Sequence, residues 1–147
     1  MKIATKRPAR YLPAAARILT GLTFFVFGLN GFLHFIPQPK DGMSPDAAAF
    51  FTGLTKSGYM MPLIFGTQTL VGVLLLVNRF VPLALALIAP VIVNIILFHI
   101  FPSPGTIAPG IVVLILEVYL AWSYRHLYRP MLTMRARPGA RPDALTH

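Results

Sequence analysis

Two stretches decide the fold: NGFLHFIPQP, Asn30 to Pro39, and NIILFHIFPSP, Asn94 to Pro104. Each reads Asn, one helical turn or slightly more, His, two large apolar residues and then Pro-x-Pro. Proline lacks the N–H that a helix needs and biases the residue before it away from helix, so a long apolar helix stops at each place. Two such stops divide the chain into two halves, each predicted to be a helix pair.

The composition says what surrounds those helices. Of the 147 residues, 56% are hydrophobic and only 12% charged, and the mean hydropathy is +0.69, values that point to a membrane protein. A helix crosses the hydrocarbon core with about 20 mostly apolar residues, and four stretches qualify: Arg17 to Ile36, Tyr59 to Val77, Phe80 to Phe101 and Thr106 to Tyr124. The expected architecture is an all-α membrane protein, four transmembrane helices in a bundle made of two helix-pair halves. Residues 17–128 form the membrane domain, and 1–16 and 129–147 are basic tails, the second expected to be disordered.

Lys and Arg beside a span are retained on the cytoplasmic side. Lys2, Lys6, Arg7, Arg10 and Arg17 precede the first span, Arg79 lies between the second and third, and Arg125, Arg129, Arg135, Arg137 and Arg141 follow the fourth. Lys40 and Lys56 alone are left for the other side, so eleven against two predicts both termini in the cytoplasm. The net charge of +9 is then explained by anionic lipid headgroups, the partners that basic tails beside spans attract, and calls for no nucleic acid. Tyr11, Trp122, Tyr124 and Tyr128 fall near the inner boundary, where an aromatic belt belongs.

The basic N-terminus leads into an apolar stretch longer than the h-region of a signal peptide, about 7 to 15 residues, with no small-residue cleavage site after it. It is read as a retained first span. The absence of cysteine removes disulfides, thiolate metal ligands and thiol catalysis, so a redox role requires a partner or an organic cofactor.

Between Pro37 and Gly58 the chain carries structure of its own. Ser44 supplies a capping oxygen, Pro45 suits the first helical turn, and Asp46 sits at the positive end of the dipole. A helix over 45–57 follows, presenting Phe50, Phe51 and Leu54 and closed by Gly58. Too short to span, it is expected at the outer interface, either as a lid over the bundle or as a loop helix with no gating role.

Polar residues inside apolar spans cost free energy unless they are paired or face a cavity. Six qualify as candidate ligand-binding residues: Asn30, His34, Gln68, Asn94, His99 and Glu117. By helical rise, the histidines fall near the outer surface, the asparagines one to two turns deeper, and Gln68 and Glu117 deepest. Thr23, Phe27, Asn30 and His34 make one helical stripe, with Gly21 and Gly28 on the opposite side. Gly110, Glu117, Ala121 and Tyr124 make another. Asn94 and His99 stand about 140° apart on an ideal helix and do not share a face, although Pro90 weakens that angle by bending the helix.

Glu117, the one glutamate, costs about 2.5 to 3.5 kcal/mol near the centre of a span unless it is protonated or paired. It reads either as a hydrogen-bonded acid that holds the bundle together or as a proton or ligand site. Each histidine, near the end of its helix, either bonds the last free carbonyls or binds an oxygen-bearing headgroup or a quinone carbonyl. Two histidines and one distant acid do not make the close ligand set a metal requires, and no catalytic residue is assigned, because no nucleophile elbow, phosphate loop or HExxH occurs.

Arg17 at the start of the first span, FGLNGFLHFIPQP (27–39), GVLLLVNRFVPLAL (72–85) and APVIVNIILFHIFPSPG (89–105) together resemble the DoxX family of small bacterial membrane proteins, over roughly Arg17 to Tyr128. The resemblance implies four helices in the bacterial inner membrane and, for most members, no activity; the thiosulfate:quinone oxidoreductase subunit that names the family makes a redox enzyme the candidate partner and a quinone the candidate cofactor. Gln68 stands where such proteins often carry an acid. The expected function is that of a non-catalytic accessory or scaffold subunit of a membrane redox complex. A quinone-linked oxidoreductase subunit and a small-molecule or proton transporter are the alternatives.

The topology is directly measurable. Single cysteines at Thr5, Ser44, Ser103 and Thr146 are expected to react with an impermeant thiol reagent from outside only at Ser44 and Ser103; labelling of Thr5 or Thr146 in intact cells would reverse the orientation.

Overall fold

The computed structural model describes residues 8–37 and 42–132, the first three of these by backbone alone. Five α-helices are present and no strand among the described residues: α1 Pro8–Leu33, α2 Pro45–Lys56, α3 Met60–Leu76, α4 Val81–Ile100 and α5 Ala108–Ser123. α1 packs on α3, α3 on α4, α4 on α5, and α5 back on α1. α2 lies across one end of this ring, bent by 90° from α3. Two helices, α1 from Tyr11 onward and α4, are long and apolar enough to cross a membrane. α3, of 17 residues, and α5, of 16, are apolar but shorter.

α1 differs from its expected span at both ends. It begins at Pro8, so half of the expected 1–16 tail is helix; Ala14, Ala15 and Ala16 carry the helix past Pro13, whose missing N–H falls within its second turn. It ends at Leu33, three residues before Ile36, because His34 turns into the left-handed region at φ 51°. There the Asn30 carbonyl accepts the His34 N–H at 2.8 Å and the Asn30 Oδ1 accepts the Ile36 N–H at 2.6 Å, closing the helix from within. Residues 129–132 form a short 3-10 turn. The remainder of the expected tails, 1–7 and 133–147, lies outside the described residues.

α2 is capped as its sequence demands, with Ser44 Oγ accepting the Ala47 N–H at 3.1 Å. The same hydroxyl donates to the Pro102 carbonyl, which ties the start of α2 to the turn between α4 and α5. Phe50 and Phe51 both pack on Phe98 of α4, with ring centroids 5.3 and 5.2 Å away. Between α3 and α4, Asn78 and Phe80 take positive φ on either side of Arg79, and the Arg79 N–H bonds the Leu74 carbonyl at 3.0 Å, a tight reversal that Pro82 follows.

The core occupies the end of the ring opposite α2. Val71 and Leu75 of α3, Leu85, Ile88 and Ile92 of α4, Leu120 of α5 and Phe24 of α1 are buried there. Glycines bring α1 and α3 together: a Cβ on Gly28 would stand 2.5 Å from the Thr69 backbone nitrogen, and one on Gly72 would stand 2.4 Å from that of Phe25. Without side chains the two backbones approach closely, the means by which apolar helices associate where no hydrophobic force separates lipid from leucine. Arg17 is buried at the foot of this seam, and its guanidinium donates to the carbonyls of Leu75 and Leu76 at the α3 C-terminus, where a cation also meets the negative end of the helix dipole.

Gly28→Ala is expected to force the seam apart and cost about 1 to 3 kcal/mol, as overpacking does. Gly66→Ala, with open space around the position, is expected to gain up to about 1 kcal/mol from helix propensity. Thermal unfolding in detergent measures both, and equal melting temperatures for the two variants would contradict the close approach.

Candidate functional site

Above the core, at the α2 end, the ring is hollow. A cavity of about 560 Å³ lies among all four long helices. α1 contributes Thr23, Phe24, Phe27, Asn30 and Gly31, with His34 just beyond its end; α3 contributes Met61, Phe65 and Gln68. Ile95 and His99 come from α4, and Pro109, Gly110 and Val113 from α5. Met43 and Phe51 reach in from the α2 segment, so α2 forms part of the wall.

Four of the six candidate residues therefore meet, and each is held differently. Asn30 is buried and spends its Oδ1 on the Ile36 N–H; as an amide it keeps two donors on Nδ2. Gln68 is 8% exposed, and its side chain has no hydrogen bond among the described residues although it lines the cavity. The Gln68 residue is largely covered, yet its amide atoms are reached from the cavity, where a water or a ligand pairs with them. His34, held in the left-handed turn, is exposed at the rim.

His99 is the best-positioned of the four. Its Nδ1 lies 2.8 Å from Thr106 Oγ1, and the Thr106 hydroxyl is within reach of the Ser103 carbonyl at 3.2 Å. Thr106 Oγ1 also lies 3.1 Å from Ser103 Oγ, so its hydroxyl serves His99 as donor or as acceptor, and the neutral ring presents Nε2 as an acceptor in one tautomer and as a donor in the other. The expected bond from imidazole to the last helix carbonyls is made by neither histidine among the described residues. At the first stop Asn30 does the capping, and at the second the helix runs past His99 to Ile100.

Asn94 and Glu117 are not in the cavity wall. Asn94 is exposed on the outside of α4, on the far side from His99, as the 140° separation anticipates. Pro90 does not rotate it inward. Glu117 is buried deeper in the ring and belongs to the opposite end: burial pushes the Tyr128 phenol above its ordinary value, and a negative charge on nearby Glu117 pushes it further. The Glu117 Oε2 has no hydrogen-bond partner among the described residues, so the expected hydrogen-bonded acid is replaced by one with an orphaned oxygen.

Met61, Phe65 and Gln68 form an i, i+4, i+7 stripe that was open to reading from the sequence once Gln68 had been chosen. Met43 and Thr106 lie in connections, and no periodicity points to them. No family model, no curated protein and no solved structure matches the chain.

An unsatisfied buried oxygen costs about 1 to 3 kcal/mol. Glu117→Leu is accordingly expected to raise the melting temperature of the detergent-solubilised protein above both the parent and Glu117→Gln. Loosening of the Leu variant relative to the Gln variant would instead mean that both carboxyl oxygens are hydrogen-bonded.

Proposed function

We propose that this chain is a DoxX-like protein of the bacterial inner membrane, crossing it four times through α1, α3, α4 and α5 with both termini in the cytoplasm. In this reading it serves as a non-catalytic accessory subunit whose hollow outer end holds a small membrane-dissolved molecule. Support for the topology comes from charge: Arg17, Arg79, Arg125 and Arg129 gather at the core end of the ring, whereas Lys56 closes α2 at the other end. At about 1.5 Å per residue, α3 and α5 are about 24 to 26 Å long, near the lower limit for a span.

The observation that carries the ligand reading is Gln68, whose amide has no protein partner among the described residues and opens into a mainly apolar cavity. Small-molecule sites combine apolar walls with a few convergent polar groups in this way. Gln68 and Asn30 offer amide donors, and His99 Nε2 pairs with an acceptor or a donor according to its tautomer, so the fitting ligand has an apolar body and a carbonyl-type oxygen. Among the described residues the cavity wall carries no carboxylate, lysine or arginine, which favours holding a molecule over transforming it. A quinone-linked oxidoreductase subunit is the second reading, favoured by the place of His99 in the cavity wall: its Nε2 suits a quinone carbonyl as a donor and the hydroxyl of a reduced quinone as an acceptor. Transport is disfavoured by the packed core of Val71, Leu75, Ile88 and Leu120 beyond the cavity.

Solvent extraction and mass spectrometry of the purified protein are expected to recover one apolar molecule of this kind at near-stoichiometric amount. Gln68→Leu and His99→Leu should each weaken its retention about 2- to 12-fold, the worth of one net hydrogen bond of about 0.5 to 1.5 kcal/mol. Recovery of ordinary bilayer lipid alone, equal in parent and variants, would refute the reading, and a recovered quinone would favour the second form of it.

A further inference from the structure

We propose that two copies of this chain associate in the bilayer through the outer face of α4, with Asn94 of each copy hydrogen-bonded to Asn94 of the partner subunit. Leu83, Leu87, Pro90, Asn94, Leu97 and Phe101 follow one another at spacings of four and three residues, and all six are exposed. That is the period of a seam along which two helices pack at a shallow angle. The opposite face of the same helix, bearing Leu85, Ile88 and Ile92, repeats the period and is buried in the ring. α4 therefore has one partnered and one unpartnered seam.

Leucines alone do not fill the second seam, because lipid tails are as apolar as they are. Asn94 changes this. It stands six residues before Ile100, about 9 Å inside the end of a helix long and apolar enough to cross a membrane, and its amide has no hydrogen bond among the described residues. An amide facing hydrocarbon at that depth has neither water nor protein to bond. Pro90, one turn earlier, also deprives the exposed Ala86 of the helical donor its carbonyl would have.

A second copy is the occupant that fits. Both copies enter the bilayer in the same orientation, so a two-fold axis along the membrane normal sets their α4 helices parallel and brings the two asparagines together at equal depth. An amide is both donor and acceptor, so each side chain satisfies the other, as a symmetric interface requires. One asparagine in an apolar seam also fixes register. This inference rests on α4 crossing the bilayer and not on the cavity, so the two proposals fail separately.

The chain contains no cysteine, so a single one reports cleanly. Leu97→Cys, oxidised in native membranes, is expected to give a disulfide-linked dimer, whereas Val118→Cys, exposed on α5, stays monomeric. Adding Asn94→Leu to Leu97→Cys should lower the dimerisation constant about 3- to 20-fold, the range of membrane interhelical hydrogen bonds, while Asn94→Gln preserves most of it. The outer position of Asn94 leaves the ring intact in these variants, and circular dichroism verifies their helicity. A Leu97→Cys product that is monomeric, that is joined to a different protein, or that forms equally well with Asn94→Leu would overturn the proposal.

Discussion

The close approach of α1 and α3 is the constraint on which the rest of the arrangement depends. Gly28 and Gly72 remove the side chains that would hold the backbones apart, and a Cβ at either position would fall inside another residue's main chain. Once α1 is pressed against α3 along this seam, Thr23 and Asn30 are turned toward the cavity and the exposed Phe27 stands at its edge. Arg17 secures the same seam from below by donating to the last carbonyls of α3. A buried guanidinium with no carboxylate partner among the described residues is tolerable there because helix-end carbonyls are the acceptors it needs.

The ring is packed at one end and hollow at the other, and the difference follows from side-chain placement. At the core end, branched aliphatic residues from α3, α4 and α5 interdigitate around Phe24. Toward α2, large residues such as Phe27 and Phe65 stand at the wall, and Gly31 and Gly110 contribute no volume, so no side chain fills the middle. α2 reaches this end because Ser44 bonds the Pro102 carbonyl while Phe50 and Phe51 grip Phe98. The short helix is thus built into the cavity wall through Phe51.

The two Asn-to-His stretches look alike and do different work. Four residues separate Asn30 from His34, so both lie on one side of α1, and the asparagine is free to cap the helix while the histidine turns away. Five residues separate Asn94 from His99, and that single extra residue rotates the asparagine to the outside of α4 while the histidine enters the cavity. Helical periodicity, and not residue type, separates a cavity residue from one that faces outward.

All-helical character, the apolar segments and the capped helix after Ser44 were legible in the sequence, because composition, proline stops and capping chemistry act locally along the chain. So was the separation of Asn94 from His99, which needs only the 3.6-residue period. The gathering of Asn30, His34, Gln68 and His99 at one end was approachable by depth alone. Their union in one cavity, and the exclusion of Asn94 and Glu117 from it, depended on how α1, α3, α4 and α5 are rotated about their own axes. Rotation is set by contacts between distant residues, Gly28 with Thr69 and Gly72 with Phe25, that no local pattern encodes. The same holds for Arg17, which reads as a charge flanking a span and becomes a buried cap only when the C-terminus of α3 arrives beside it, and for Glu117, whose missing partner is a property of the packing around it.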